Sequence, residues 1–315
     1  MFSKLDYVYA VYKEQSFTRA AEKLFISQPS LSAAIKKLEK MLGAPLFNRS
    51  GSAVTLTEVG LEYISAVEKI IKIREEFKSR VNDIYNLEVG RITVGGTNYL
   101  SSYVLPRIIN RFAALYPKIE VNLVEAHSAS LCEMIKSEEI DIVIDSFDES
   151  LEEYEGYPLA KERIFLCVPK DREINATLKE YSISPEDIYN GTVDVNKVKP
   201  ININAFADES FVLLKKGNDM YNRAMRIFED GGIFPNVTFN VDQLNISYAL
   251  AESGIGLCFV TDTLFRFGNI GKNILLYNVS SELSNRMLYV AHKKNKYPSN
   301  AMRKFIEISK EVVGI

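Results

Sequence analysis

The sequence is poor in the residues and segments on which secreted, membrane-bound and disulfide-stabilised proteins rely. Its 315 residues include only three cysteines, widely spaced at Cys132, Cys167 and Cys258, which argues against a disulfide framework. Such cysteines favour a reducing compartment. Most free cysteines are buried in the hydrophobic core of a protein. No secretory signal peptide and no apolar run long enough to span a membrane is present. The sequence therefore predicts a cytoplasmic location and no membrane partner.

Enzyme motifs are missing as well. The only two histidines, His127 and His292, lie far apart in sequence and lack the spacing of zinc ligands. Neither a G-x-S-x-G nucleophile elbow nor a phosphate-binding P-loop occurs. The short run Gly254-Ile255-Gly256 lacks the third glycine of a dinucleotide fingerprint, and a tight turn between a helix and a strand explains it better. We therefore predict no catalytic residue, no metal ion and no cofactor.

Positive charge is in deficit overall, with a net charge of −3, but it is concentrated at one end of the chain. Residues 1–60 carry 8 Lys or Arg against 5 Asp or Glu, whereas residues 61–315 carry 30 against 36. A basic N-terminal region on an acidic chain indicates contact with nucleic acid at that end. Because the basic excess is small, one copy should bind DNA weakly, and this favours a dimer.

Two short helical patterns occupy the start of this basic region and meet near Phe25. Ser16 and Ser27 precede the two patterns as N-caps, Pro29 suits the first turn of the second helix, and Gly43 ends it. Apolar residues at helical spacing give each helix one buried face. Two amphipathic helices joined by a short turn indicate a helix-turn-helix, although an ordinary helical hairpin has the same pattern.

The second helix of a helix-turn-helix places its N-terminal residues in the major groove of DNA. Gln28 can bond to adenine, Pro29 can contact a thymine methyl group, and serines can bond to bases or phosphates. Basic side chains nearby neutralise phosphates without reading sequence. The predicted DNA-contacting residues are Arg19, Ser27, Gln28, Pro29, Ser30, Ser32, Lys36, Lys37 and Arg49.

The run from Phe17 to Gly60 closely resembles the N-terminal winged helix-turn-helix of LysR-type transcriptional regulators, and it matches at nearly every position. The resemblance implies that Phe47 to Thr55 form the wing. Two later segments, Gly95–Pro117 and Ala251–Leu257, resemble the effector domain of the same family. Residues 171–208 depart from the common family pattern, because they form a longer segment with several asparagines.

The fold implied by this resemblance is α+β overall. It comprises a winged helix-turn-helix DNA-binding domain (1–58), a linker and dimerisation helix (59–89) and a two-lobed, α/β, periplasmic-binding-protein-like effector domain (90–315). Lobe I is predicted to span about 90–163 and 286–315, and lobe II about 164–285. Independently, strand and helix patterns that alternate after Arg91 predict a doubly wound sheet, with Val104–Tyr116 as a helix and Phe165–Val168 as the first strand of the second lobe.

An apolar pattern without proline runs from Leu61 to Ile84, long enough for a helix of roughly 40 Å. A helix of this length needs a partner for its apolar stripe, which is either a second copy of the chain or the helix's own domain. We predict a homodimer, and the resemblance implies a tetramer. Two-fold pairing in turn predicts a double-stranded promoter site with dyad symmetry.

Ligands of open α/β sheets bind beyond the carboxyl ends of the strands, between lobes. Helix N-termini with hydroxyl groups suit a small organic anion, and Lys215 or Lys216 can add charge. The alternative is that these are ordinary caps and turn residues. The predicted effector-binding residues are Thr97, Asn98, Tyr99, Ser101, Ser102, His127, Ser128, Ser130, Gly217, Asn218 and Asp219.

Taken together, these features predict a DNA-binding transcriptional regulator that responds to a small-molecule effector by changing DNA bending or contact with RNA polymerase. One rival is an enzyme or transport protein of the periplasmic-binding type, which would need a secretion signal. Another rival is an architectural DNA-binding protein that senses nothing, for which two lobes are unexpectedly large.

Overall fold

A computed structural model of the chain describes residues 4–48, 54–84, 89–146, 153–268 and 271–314. The chain divides into two compact units, Met1–Tyr85 and Asn86–Ile315, which we call the first and the second unit. Each unit has its own hydrophobic core. Within the described ranges, no helix is both long and apolar enough to cross a membrane.

The first unit consists of helices and one short hairpin. Its elements are α1 (Leu5–Glu14), α2 (Phe17–Lys23), α3 (Gln28–Leu42), β1 (Phe47–Asn48), β2 (Thr55–Leu56) and α4 (Glu58–Ile84). Strands β1 and β2 are antiparallel, with Phe47 opposite Leu56. The core joins the apolar faces of α1, α2 and α3 to the first half of α4. Helix α1, which contributes the fully buried Val8 and Val11, was not predicted from the sequence.

Capping residues set the ends of the two central helices. The Ser16 hydroxyl accepts a hydrogen bond from the backbone N–H of Arg19, and Ser27 does the same for Ser30. Gly43 ends α3 with a φ of +75°, a conformation that glycine adopts without strain. The predicted helix-turn-helix is therefore confirmed, with its first helix ending at Lys23, before the predicted meeting point near Phe25.

The described residues of the second unit form ten strands. They are β3 (Gly90–Gly96), β4 (Ile119–Glu125), β5 (Ile142–Asp145), β6 (Tyr154–Pro169), β7 (Ser182–Ile183), β8 (Ser210–Leu214), β9 (Asn236–Val241), β10 (Cys258–Thr261), β11 (Ile274–Tyr277) and β12 (Asn285–Lys293). Strand β3 is parallel to both β4 and β5, as the predicted doubly wound arrangement requires. The main sheet has the order β4-β3-β5-β12-β6-β11-β7, and β10 also pairs with β6.

Helices cover these strands. They are α5 (Asn98–Tyr103), α6 (Leu105–Leu115), α7 (Ser128–Lys136), α8 (Ile174–Thr177), α9 (Pro185–Tyr189), α10 (Asp219–Asp230), α11 (Leu244–Glu252), α12 (Asp262–Phe267) and α13 (Asn300–Val313), with short 3-10 helices at Lys179–Tyr181, Ile203–Phe206 and Glu282–Ser284. The predicted helix Val104–Tyr116 is preceded by the separate short helix α5. The helix is interrupted at Val104, because Pro106 lies in the first turn of the following helix α6.

Strand β6 joins the two halves of the second unit. Its first ten residues, Tyr154–Arg163, pair with β12, and the remainder pairs with β10 and β11. We call the side with β3, β4 and β5 lobe I and the side with β8, β9 and β10 lobe II. The prediction that a strand begins at Phe165 was wrong, because that segment is the second half of β6. The first half of β6 was not predicted, because it contains Pro158 and proline is uncommon within strands. The sheet accommodates Pro158 beside an irregularity in the pairing of β6 with β12.

Candidate DNA interface and interlobe pocket

Helix α3 has one buried and one exposed face. Leu31, Ile35 and Leu38 are buried in the core of the first unit. Gln28 and Lys36 are exposed, with the half-buried Ser32 between them at a spacing of four residues, so the three residues form a polar row beside the buried face. The helix therefore presents a polar face from its N-terminus, and this is the geometry that a major-groove helix requires.

The structure places the other predicted DNA-contacting residues around the start of the same helix. Pro29 and Lys37 are exposed on α3, and Arg19 is exposed on α2, where it donates to the Glu14 carbonyl oxygen. The hydroxyls of Ser27 and Ser30 lie 2.8 Å apart and cap the helix. Arg49 and residues 50–53 of the predicted wing lie outside the described residues.

Helix α4 has both buried apolar side chains and apolar side chains that the described residues of its own unit leave exposed. Tyr63, Ile64 and Val67 are buried against the rest of the first unit. Ile73 and Phe77, one helical turn apart, are 67% and 66% exposed. The described residues of the first unit therefore leave Ile73 and Phe77 largely uncovered.

A pocket of about 520 Å³, part of it open to solvent, lies between the two lobes of the second unit. Lobe I contributes the start of α5, the start of α7 and the end of β5. Lobe II contributes the end of β8 and the starts of α10 and α11, and β12 closes the wall. The lining residues are Thr97, Asn98, Tyr99, His127, Ser128, Asp145, Leu214, Asn218, Asp219, Met220, Asp242, Gln243, Leu244 and Arg286.

Most of the predicted effector-binding residues meet at this pocket. The structure brings together Thr97, Asn98, Tyr99, His127, Ser128, Asn218 and Asp219. The remaining four do not line it. The hydroxyl of Ser101 donates to Gly96 and that of Ser102 to Asn98, Ser130 is exposed, and Gly217 forms a turn with a φ of +97°.

Several lining residues were missed by the sequence analysis. Asp145 ends β5, and Asp242 with Gln243 follows β9, so the rule that ligands bind at the carboxyl ends of strands could have found them. Arg286 offered no such signal, because it comes from the distant strand β12. Only the pairing of β12 with β6 brings it to the pocket.

Arg286 is the centre of a buried ionic network. Its side chain is only 8% exposed, and its Nε and Nη1 donate to Glu162 at 2.6 Å and to Asp219 at 2.7 Å. Burial lowers the pKa of this guanidinium, but the facing Glu162, Tyr99 and Asp219 raise it more, so that it remains charged. The Tyr99 hydroxyl donates to Glu162 as well, and burial is the main reason that its own pKa lies well above the usual value.

Hydrogen bonds join the two lobes at this network. The Ser146 hydroxyl of lobe I donates to Asp219 of lobe II at 3.4 Å, and the Asn245 amide of lobe II donates to Asn98 of lobe I at 3.0 Å. Lys215, predicted to add charge to the pocket, is instead paired with Asp242 at 2.7 Å. A ligand in the pocket would therefore touch groups whose contacts depend on the lobe arrangement.

Two family models match the chain. Residues 2–61 match the bacterial regulatory helix-turn-helix protein of the LysR family, and residues 86–314 match the LysR substrate binding domain. The chain belongs to the LysR family of transcriptional regulators. As a LysR-family protein it is a DNA-binding regulator and not an enzyme, and the predicted α+β fold with its winged helix-turn-helix and two-lobed domain is confirmed.

Known LysR-family proteins are similar along nearly the whole chain. An uncharacterized HTH-type transcriptional regulator of Bacillus subtilis, YcgK, is 29% identical over 312 residues, which cover 98% of this chain and 93% of that protein. Full-length CbnR, solved in complex with its target DNA, has a TM-score of 0.66 at 18% identity and covers 99% of both chains. The OxyR C206 mutant of Corynebacterium glutamicum has a TM-score of 0.63 at 20% identity, covering 99% of this chain and 92% of that one. At these identities the two structures show a shared fold.

Proposed function

We propose that this LysR-family regulator binds a dyad-symmetric promoter site as a homodimer or tetramer and changes its activity when a small molecule occupies the interlobe pocket. The observation that carries the proposal is the pairing of an exposed polar α3 face with a pocket whose wall comes from both lobes. Its place of action would be the cytoplasm, where promoter DNA lies.

The α3 face supports base readout. Gln28 stands at the first position of the helix and is exposed, so its amide can reach a base edge. The neighbouring Lys36 and Lys37 are exposed and suit phosphate contacts. CbnR, which shares the fold, has been solved with its target DNA, which supports the same use of this unit.

The uncovered stripe of α4 supports pairing of two chains. Ile73 and Phe77 would become buried if a second α4 packed against the first, and burial of apolar surface favours association. Pairing also doubles the number of phosphate contacts, which the small basic excess of the N-terminal region requires. The predicted domain limits, with a linker helix over 59–89, belong to this proposal.

The pocket supports regulation by a ligand. A ligand shifts an equilibrium between two lobe arrangements only by the difference of its affinities for them, and couplings of this kind amount to about 1–3 kcal/mol. Contacts such as Asn98 with Asn245 and Ser146 with Asp219 span the lobes, so a bound molecule can favour one arrangement over the other. Altered DNA bending or altered contact with RNA polymerase would carry the signal onward.

Replacement of Gln28 tests the assignment of α3. We expect Gln28→Ala to weaken binding to the specific promoter by about 1–3 kcal/mol, because one bidentate base contact is lost, while binding to random duplex stays nearly constant. Fluorescence anisotropy with both duplexes at one fixed salt concentration measures the two affinities. Lys40→Ala, in the last turn of the same helix, serves as the control. An equal loss on both duplexes would show that Gln28 does not read bases.

A further inference from the structure

The carboxylates at the interlobe pocket outnumber the basic groups bonded to them. Every basic side chain of the network has an acidic partner: Arg286 is paired with Glu162 and Asp219, Arg223 with Asp219, and Lys215 with Asp242. Asp145 is the remaining carboxylate. It is 5% exposed, lines the pocket, and forms no ion pair in the described part of the chain. The pocket therefore holds one buried negative charge that no lysine or arginine is bonded to.

Asp145 is held in place but not neutralised. It accepts hydrogen bonds from the backbone N–H of Ser146 at 2.8 Å and from the Ser128 hydroxyl. Burial raises the pKa of this carboxyl to about 6; these two hydrogen bonds and the positive charge of Arg286, which is not bonded to Asp145, offset only part of the rise. A buried carboxylate without a counter-ion destabilises a fold, and such groups are concentrated at functional sites. A cationic group of a ligand would supply the missing partner.

Two helix ends at the same pocket also attract negative charge. Helices α7 and α11 both begin at the pocket, and neither has a side chain that caps its N-terminus. Free N–H groups and the helix dipole at such ends suit a carboxylate. Ser128 is both the first residue of α7 and the hydrogen-bond partner of Asp145. A site for a carboxylate and a site for a cation therefore adjoin each other, like the two charged groups of an α-amino acid.

We propose that the effector is a small α-amino acid, with its ammonium group paired to Asp145 and its carboxylate at the N-terminal ends of α7 and α11. The inference rests on the proposed function, since it names the ligand of the same pocket. A simple organic anion, the effector predicted from the sequence, would place its charge near Asp145 without a compensating group.

Thermal-shift and calorimetric titrations of the full-length protein test this proposal. The probes are the proteinogenic L-amino acids and, for each, the 2-hydroxy acid that keeps the carboxylate and replaces the ammonium with a hydroxyl group. We expect at least one amino acid to raise the Tm and to bind at least tenfold more tightly than its 2-hydroxy acid. Equal or tighter binding of the 2-hydroxy acids, or no response to any amino acid, would overturn the proposal.

Two variants locate the interaction. Asp145→Asn keeps the hydrogen bonds to Ser128 and Ser146 and is expected to weaken binding of the responding amino acid at least tenfold, whereas Asp208→Asn, exposed on lobe II, should leave it unchanged. Unchanged affinity in Asp145→Asn would refute the role of this carboxylate. If that variant does not fold, the comparison of ammonium and hydroxyl compounds on the unmodified protein still decides the matter. Promoter binding, measured in parallel without ligand, tests the proposed function separately.

Discussion

The N-terminal end of α3 and the interlobe pocket are built in different ways. Most of the DNA-side residues lie on α3 or directly before it, and they are exposed apart from the half-buried Ser32. The pocket residues come from seven separate elements, and its charged groups are buried and bonded across the lobes. The difference implies that changes at α3 act almost independently of each other, whereas changes at the pocket are coupled to the stability of the second unit.

The largest effect is expected from the loss of Arg286. Arg286→Ala would leave Glu162 buried without its ionic partner, and breaking a buried ion pair costs about 3–5 kcal/mol. Urea unfolding of the second unit measures the change. Additional replacement of Glu162 by Gln should recover a large part of the loss, because interacting residues are not additive. Lys197→Ala, which breaks the exposed pair with Asp194, is the matched control with an expected loss below about 1 kcal/mol. A loss that small in Arg286→Ala would remove the contrast between the two regions.

Asp145→Asn should increase the stability of the protein, whereas Arg286→Ala should lower it. The pKa of Asp145 in the folded protein is about 6, above the ordinary value of 3.8, so the folded state binds more protons between these values. The stability of the unmodified protein therefore falls as the pH rises through this window. The variant should be more stable by about 2–3 kcal/mol at pH 7, a difference of two pKa units, and equally stable near pH 3.

Thermal unfolding of both proteins from pH 3 to pH 7 measures this difference, and comparison with the variant subtracts every other titrating group. The groups facing Asp145 are Ser128 on α7, Ser146 beside it, Arg286 on β12 and Asp219 on α10. A stability difference that is constant across this pH range would show that burial of Asp145 does not govern it.

The smallest effect is expected at the helix-turn-helix. Ser16→Ala removes the side-chain cap of α2 and should lower the stability of the first unit by about 1 kcal/mol, independent of any change at the pocket. Circular dichroism during urea unfolding measures the change, with Thr18→Ala, exposed in the first turn of the same helix, as the control. A loss as large as that of Arg286→Ala would mean that local capping in this unit is as strongly coupled as the buried network.

Regular local patterns were enough for most elements. Ser16, Ser27 and Gly43 cap helix ends through contacts within one helical turn. The helix-turn-helix, the starts of both its helices and the end of the second could therefore be predicted. The alternation of strands and helices after Arg91 was equally accessible, because a buried strand followed by a helix leaves a clear apolar pattern. The long strand β6 was only half recognised, since Pro158 argues against a strand unless the partner β12 is known.

The two regions also differ in whether local sequence patterns or the folded arrangement reveals them. Local sequence patterns were sufficient to assign the family, the polar face of α3 and the loops that reach the pocket, because capping, helical spacing and strand ends are local properties. The folded arrangement was needed to show that Arg286 is bonded between Glu162 and Asp219 and that, among the described residues, Asp145 has no ion-pair partner. The balance of charge in a buried site depends on distances between residues far apart in the chain, because Coulomb interactions between buried groups are strong only at close range and low dielectric.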